Sequence, residues 1–152
     1  MKITKIIIIL ILLINTSCGY KPIYLKDDKL FLEFDKIILI GDERINKQII
    51  NIVGLKENES NSLENELTLK TNFNIKETSK NSKGQIQTYR STISVQLIIK
   101  KNEKIINSKY FLNEFSYNNK TNKFELQQYQ NEIKVNLINK SSEEILLFLN
   151  LS

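Results

Sequence analysis

The chain of 152 residues has no histidine and no tryptophan, and only one cysteine, one proline and four glycines. Without imidazole, and with its single thiol at Cys18, it offers little for a metal site or a nucleophile–base pair. An enzyme would therefore need paired carboxylates, as in a murein glycosidase. Glu143-Glu144 and Asp27-Asp28 are adjacent pairs, and neighbouring residues do not converge on one face of a helix. We expect no enzymatic activity, no cofactor and no metal.

The beginning of the chain has the layout of an export signal. Lys2 and Lys5 precede the apolar run Ile6–Ile14, and small residues lead to the cysteine. The run is far shorter than the roughly 20 residues that cross a bilayer as a helix. We interpret residues 1–17 as a lipoprotein signal peptide and Cys18 as the lipidated first residue of the mature chain. The alternative is a free thiol beside an ordinary cleavage site, and Asn15 stands where a lipobox usually has an aliphatic residue.

Removal of this signal takes away two lysines and no acid, so the formal net charge falls from +5 to +3. That balance does not favour a nucleic-acid partner. Residues 18–29 include the only proline, Pro22, which biases Lys21 to an extended conformation, and they are interpreted as a lead-out. Residues 30–152 are predicted to form a single domain, of a size that suits one core.

The first part of this domain predicts a strand followed by a helix. Leu30–Ile40 is rich in aliphatic residues and reads best as a strand from Phe34 to Ile40. Asp42 can cap a helix and Gly54 can end it. The predicted buried stripe is Ile45, Ile49, Ile52 and Val53. The polar stretch Lys56–Asn65 is predicted to be a connecting loop.

Two regular alternations follow, and each indicates a strand with one buried and one wet face. The apolar positions are Leu67, Leu69, Phe73 and Ile75 in the first strand, and Tyr89, Ile93, Val95, Leu97 and Ile99 in the second. The polar stretch Thr78–Gly84 between them predicts an antiparallel hairpin. Asn102-Glu103 predicts a tighter turn into a third strand, from Lys104 to about Tyr117.

The chain then turns helical, after a possible capping box of Asn122 and Glu125. The predicted apolar stripe of this helix is Leu126, Tyr129, Ile133 and Leu137. Ser141–Glu144 is read either as a polar patch or as a restart of the helix. The order β-α-β-β-β-α predicts an α/β (α+β) two-layer sandwich, with a four-stranded mixed sheet and both helices on its apolar face.

This order places the Thr78–Gly84 turn and the Asn118–Lys123 loop at the same end of the sheet. Four lysines would gather there: Lys80, Lys83, Lys120 and Lys123. Such an end would attract phosphate or carboxylate groups of a ligand, although lysines in turns are often simply solvated. The polar face of the sheet would either be wet or suit contact with another polar surface, such as the inside of an outer-membrane barrel.

The stretch Cys18–Tyr24 (CGYKPIY) resembles the start of many members of the LPS-assembly lipoprotein family, LptE. The hairpin through Gly84-Gln85 and Thr88-Tyr89, the closing strand, the Asn-rich loop and the terminal helix follow the order of that family too. A long polar tail after the last helix is absent here. Gly19, rather than Asp, is similar to lipoproteins that are sorted onward to the outer membrane.

The resemblance implies a lipid-anchored protein at the periplasmic face of the outer membrane. It would plug an LptD-like β-barrel, assist its assembly and take part in lipopolysaccharide transport. Basic residues of the hairpin turn and of the loop before the last helix would bind lipopolysaccharide. Lys120 and Lys123 fall in that loop, while Ser82 stands at the family's basic position in the turn and Lys83 lies beside it. The alternative is an auxiliary lipoprotein of an ABC-type envelope lipid transporter.

Overall fold

The computed structural model of the protein describes residues 32–58 and 64–151. The predicted signal peptide, the lead-out and Cys18 lie outside these residues. The elements in chain order are β1 (Leu32–Phe34), β2 (Lys36–Gly41), α1 (Glu43–Val53), β3 (Leu55–Glu57), β4 (Asn65–Lys80), β5 (Ile86–Lys101), β6 (Lys104–Asn118) and α2 (Lys123–Leu151).

Four of these strands form one mixed sheet in the order β2-β4-β5-β6. β2 runs parallel to β4, and the β4–β5 and β5–β6 pairs are antiparallel. Both helices cover the same face, so the predicted α+β sandwich with a four-stranded mixed sheet is confirmed. A separate parallel pair, β1 and β3, lies beside it.

Helix α1 begins and ends at the residues that the sequence indicated. The Asp42 carboxylate accepts hydrogen bonds from the backbone N–H groups of Arg44 (3.0 Å) and Ile45 (3.1 Å). Gly54 adopts a left-handed conformation (φ 78°), and its N–H donates to the Ile50 carbonyl. Local capping interactions therefore set both ends of α1, the helix in the crossover between the parallel strands β2 and β4.

Gly41 makes the close approach of β2 to β4 possible. Its φ is +98°, and a Cβ atom built on it would lie 1.9 Å from the backbone oxygen of Thr71. No side chain fits there, so only glycine satisfies both the backbone conformation and the space. One turn further on, Asn46 donates to the Ile40 carbonyl (3.1 Å) and accepts from the Thr71 hydroxyl (2.9 Å). These bonds fix the start of α1 against β2 and β4.

The core lies between the helices and one face of the sheet. It contains the apolar rows of the three long strands, where Leu69 faces Leu97 and Val95 faces Phe111 across the ladders. Helix α1 contributes Ile45, Ile49 and Val53, and helix α2 contributes residues along its whole length: Ile133, Leu137, Ile138 and Ile145. Burying these side chains supplies the main favourable term in the folding of the domain.

Helix α2 is continuous through Ser141–Glu144, which decides between the two predicted readings in favour of helix. Both serines are fully buried. Ser142 donates to the Ile138 carbonyl (2.9 Å), and Asn113 of β6 donates to Ser141 Oγ (3.1 Å) and Glu144 Oε2 (2.9 Å). Buried polar groups are tolerable when they are bonded in this way. The segment therefore ties β6 to α2 instead of breaking the helix.

Several local expectations are wrong in detail. Ile52 is 47% exposed, and the buried position beside the stripe belongs to Asn46. The predicted loop Lys56–Asn65 begins inside β3, which pairs with β1. The predicted strand from Phe34 is interrupted at Asp35, whose carboxylate accepts a hydrogen bond from the Asn65 backbone N–H (2.8 Å). Strand β4 runs on to Lys80, so the turn comprises residues 81–85 rather than Thr78–Gly84.

Candidate ligand-binding tip

The β4–β5 turn and the loop between β6 and α2 lie side by side at one end of the sheet, as predicted. Thr88 pairs with Asn118 at the end of the β5–β6 ladder. The Asn119 backbone N–H donates to the Gln87 carbonyl (2.7 Å), and its side-chain amide donates to the Ile86 carbonyl (2.9 Å). We call this end, comprising residues 80–88 and 118–123, the basic tip.

Asn81 builds the turn at the basic tip. Its side-chain oxygen accepts from the backbone N–H groups of Lys83 (3.0 Å) and Gln85 (2.9 Å), and its amide donates to Gln85 Oε1 (2.9 Å). Gly84 closes the turn with φ +76°, and it donates from its N–H to the Asn81 carbonyl (2.9 Å). A short asparagine side chain can bond local backbone groups in this way and so replace a ladder. The turn that carries Lys83 is thus fixed by five hydrogen bonds around one residue.

The four predicted lysines differ in their surroundings. Lys80 forms an ion pair with Glu77 (3.1 Å), which partly neutralises it. Lys120 lies over the ring of Tyr129, with its Nζ atom 4.6 Å from the ring centroid. Lys83 and Lys123 are exposed, and Lys123 is the first residue of α2. A cation at a helix N-terminus lacks the favourable dipole interaction that it would have at the C-terminus, so an anion bound there would relieve it.

A polar hollow lies between the two segments of the basic tip. It is lined by Gln85, Ile86, Gln87, Thr88, Asn118, Asn119, Lys120 and Thr121. Amides, hydroxyls and one ammonium group can all donate hydrogen bonds into it. The chemistry of the lining therefore suits the phosphate or carboxylate oxygens of a ligand.

An aromatic cluster supports this end from inside the sandwich. The rings of Tyr89 and Tyr117 stack at 5.8 Å, Tyr117 and Phe115 at 6.5 Å, and Tyr117 meets Tyr129 edge to face at 5.7 Å. The Tyr117 hydroxyl shares a hydrogen bond of 3.1 Å with Ser91. Because Lys120 rests on Tyr129, the cluster connects the core to a lysine of the tip. The sequence showed these rings individually, but only the β5–β6 register brings Tyr89 opposite Tyr117.

Two further basic residues lie near the tip on the uncovered face of the sheet. Lys76 is directly opposite Arg90 in the β4–β5 ladder. Arg90 forms an ion pair with Glu114 (3.5 Å) and donates from Nε to Ser116 Oγ (3.1 Å). The alternation of polar and apolar residues predicts that both side chains face outward. That they lie opposite each other follows only from the β4–β5 register.

That uncovered face is polar in most rows but carries exposed apolar side chains on its two edge strands. Ile40, Tyr110 and Leu112 are 45%, 59% and 55% exposed. One row across the sheet reads Ile40, Lys70, Gln96, Tyr110. A surface of this kind, polar with apolar residues at its margins, can contact another protein.

No group of three or more metal-ligating side chains (His, Cys, Asp or Glu) occurs within residues 32–58 and 64–151. Over the same residues, no helix has the length and apolar character to cross a membrane.

Solved structures of three bacterial lipoproteins share this fold. Rare lipoprotein B from Shewanella oneidensis superposes with a TM-score of 0.54 and 12% identity, covering 76% of this chain and 93% of that chain. A minor lipoprotein from Acinetobacter baumannii gives 0.52 and 15%, covering 74% and 88%. Uncharacterized lipoprotein B from Nitrosomonas europaea gives 0.54 and 10%, covering 84% and 88%. No family model and no curated protein sequence matches the chain.

Proposed function

We propose that the protein is an outer-membrane lipoprotein that plugs and helps to assemble an LptD-type β-barrel and takes part in lipopolysaccharide transport. The observation that carries this proposal is the fold, which solved structures named as lipoproteins share over most of their length. The signal-like start that ends at Cys18 and the family resemblance of the stretch Cys18–Tyr24 support it independently.

In this proposal the basic tip binds the phosphate groups of lipopolysaccharide. The hollow offers donors at its base, and Lys83, Lys120 and Lys123 supply positive charge around it. Lys80 has a smaller role because Glu77 already pairs with it. The aromatic cluster and the Asn81 turn hold the tip in shape before the ligand arrives, which lowers the entropic cost of binding.

The uncovered sheet face is the surface that we assign to the barrel wall. The inward surface of such a barrel is polar, so rows of Thr, Asn, Ser and Gln can exchange their water for polar groups there. Tyr110 and Leu112 would lose exposed apolar area on docking. The other face is already covered by the helices and occupied by the core.

Co-purification tests the proposal directly. We expect a large barrel protein to accompany the detergent-solubilised full-length chain, and a double substitution Tyr110→Asp/Leu112→Asp to abolish that association. Val135→Asp/Leu147→Asp is the matched control, because both residues are exposed (48% and 45%) and lie on α2 instead of the sheet. Recovery of the protein without any barrel partner would refute the proposal. An equal loss of barrel association in the control would mean that the sheet face is not the surface that contacts the barrel.

Depletion separates this function from that of a transporter auxiliary lipoprotein. We expect depletion to reduce lipopolysaccharide at the cell surface, measured by accessibility to an impermeant label. Undisturbed surface lipopolysaccharide would favour the auxiliary role instead. Mass spectrometry of the membrane-bound protein gives the modification at Cys18 in the same preparation, and an unmodified thiol would contradict the lipid anchor.

A further inference from the structure

The β5–β6 hairpin turn exposes two adjacent isoleucines. Ile105 is 63% exposed and Ile106 is 61% exposed. They lie where the register shifts: Lys100 pairs with Ile105 and Ile99 pairs with Asn107, so Ile106 is left without a partner in β5. Such a bulge re-aims side chains at the end of a ladder, and β6 is also an edge strand of the sheet.

Lysines flank the two isoleucines. Lys101 and Lys104 are exposed and directly opposite each other across the turn. Neither forms an ion pair within the part of the chain that the structure describes. Lys100 is different, because it lies 3.9 Å from Glu66. The turn residue Glu103 offsets one charge, so the hairpin end combines apolar surface with a small positive excess.

This turn lies at the end of the domain where the described chain begins. The Asp35 backbone N–H donates to the Asn65 carbonyl (2.9 Å), and the Asn102 N–H donates to the neighbouring Glu64 carbonyl (2.8 Å). Asp35 and Asn102 therefore lie on either side of one strand, which places them about 10 Å apart. The basic tip lies at the other end of β6, about 50 Å away for its 15 residues.

We propose that the β5–β6 hairpin turn docks on the surface of the phospholipid bilayer that holds the N-terminal lipid. Ile105 and Ile106 would enter the boundary between headgroups and acyl chains, and Lys101 and Lys104 would bind lipid phosphates. Apolar side chains with flanking lysines are the composition of peripheral membrane-binding surfaces. This inference uses one part of the proposed function, the anchor at Cys18, and does not depend on the barrel.

The position of the anchor explains why a bilayer fits this surface better than another protein. The 14 residue steps from Cys18 to Leu32 reach at most about 50 Å when fully extended. The start of the described domain, with the hairpin turn beside it, therefore lies within that distance of a membrane that holds the lipid. The exposed apolar area is two side chains at the end of a ladder, which a bilayer can accept without shape complementarity.

An environment-sensitive fluorophore can test this in the full-length protein, extracted from membranes and reconstituted in vesicles of phosphatidylethanolamine and phosphatidylglycerol. One label is attached through Ile105→Cys and another through Ser82→Cys at the basic tip. We expect a blue-shifted emission at residue 105 and quenching there by nitroxide-labelled lipids. Residue 82 should show neither effect.

Charge and apolar variants then identify the contact. Lys101→Glu/Lys104→Glu and, separately, Ile106→Thr should reduce the quenching at residue 105 towards the level at residue 82. Lys109→Glu/Lys140→Glu and Ile52→Thr are matched controls at exposed residues elsewhere on the surface and should leave it unchanged. Absence of lipid quenching at residue 105 would overturn the proposal, as would equal quenching at both labels. The mass at Cys18 shows in the same sample whether the anchor is present, and barrel co-purification is scored independently.

Discussion

The β4–β5 turn takes five residues, 81–85, while the β5–β6 turn takes two, Asn102 and Glu103. At the first, Asn81 and Gly84 organise a polar turn, and Lys120 in the adjacent loop rests on the ring of Tyr129 in an aromatic cluster. At the second, both turn residues have positive φ (49° and 66°), and the isoleucines just beyond them are uncovered. Two-residue turns with positive φ at both positions have a backbone twist that matches the right-handed twist of the flanking strands.

The difference separates an end whose side chains hold one another in place from an end whose apolar side chains are exposed. At the basic tip, hydrogen bonds and stacked rings fix the groups that would bind a ligand, so their positions exist before binding. At the other end, Ile105 and Ile106 are 63% and 61% exposed. We therefore expect substitutions at the basic tip to affect both stability and ligand binding. Substitutions at the β5–β6 turn should affect only contact with the membrane.

The largest expected effect is on the stability of the basic tip. Tyr117→Ala removes a buried ring that contacts three others, and should lower the free energy of unfolding by about 3–5 kcal/mol. Tyr117→Phe, which loses only the hydrogen bond with Ser91, should cost about 1 kcal/mol. Ile106→Ala at the opposite end should change it by less than about 0.5 kcal/mol. Urea unfolding measures all three, and similar losses at both ends would end the contrast.

Ligand binding provides the next test. Lys83→Glu/Lys120→Glu/Lys123→Glu should weaken binding of lipopolysaccharide by at least about a hundredfold. Each lysine near an anionic surface contributes about 1 kcal/mol, and the three glutamates add repulsion. The matched control is Lys70→Glu/Lys109→Glu/Lys140→Glu, which changes the net charge equally with exposed lysines away from the tip. A pull-down with immobilised lipopolysaccharide at two salt concentrations measures the effect. Unchanged binding would leave the three tip lysines as solvated turn residues.

Asp42 lies between the two ends of the sheet, so its substitution serves as a control for the variants at each end. The N–H of Ile45 lowers the pKa of its carboxyl below the usual 3.8, and Lys134, 3.4 Å away, lowers that pKa further. The unfolded chain therefore takes up this proton first as pH falls. The stabilisation is present above pH 4 and is lost as the pH drops through the lowered value.

Asp42→Ala should accordingly cost about 1 kcal/mol of unfolding free energy at neutral pH, and much less in strong acid. Urea unfolding over a pH series measures this convergence. Binding of lipopolysaccharide and membrane contact should both remain as in the parent protein. A pH-independent cost, or a change in either binding assay, would contradict the assignment of Asp42 as a helix cap only.

The smallest expected effects are in the turns themselves. Asn81→Ala should lower the unfolding free energy by about 0.5–1 kcal/mol, because the turn loses its organising side chain while water replaces part of the bonding. Glu103→Gly should raise it by about 0.5 kcal/mol, because relief of the left-handed strain slightly exceeds the added flexibility. Thermal unfolding of both variants resolves the opposite signs. The same sign in both would mean that the two turns are not built differently.

How far the sequence predicted this molecule depends on the range of the interactions concerned. The caps at Asp42 and Gly54, the turn at Asn102-Glu103 and the two regular alternations were confirmed, since each rests on bonds between near neighbours in the chain. Ile52 was assigned to the core because helical spacing alone cannot say which edge of a stripe meets the sheet. Strands β1 and β3 were missed as a pair because three-residue strands carry almost no pattern.

The same division holds at the candidate site. That the two loops share one end followed from element order alone, and the structure agrees. Three contacts could not be predicted from the sequence: the ion pair of Lys80 with Glu77, the position of Lys120 over Tyr129 and the pairing of Lys76 with Arg90. Each depends on where a side chain points or on which residues face each other across a ladder.

The sequence by itself determined the alternating faces of the long strands and the capped ends of α1, because backbone geometry and local hydrogen bonds act within a few residues. It also determined the gathering of lysines at one end, because the order of the elements fixes which loops share an end. Only the tertiary structure decided the register of β4, β5 and β6, the burial of Ser141 and Ser142 and the uncovered isoleucines beyond the second turn. Those outcomes depend on contacts between segments far apart in the chain, where helices and sheet compete for the same apolar surface.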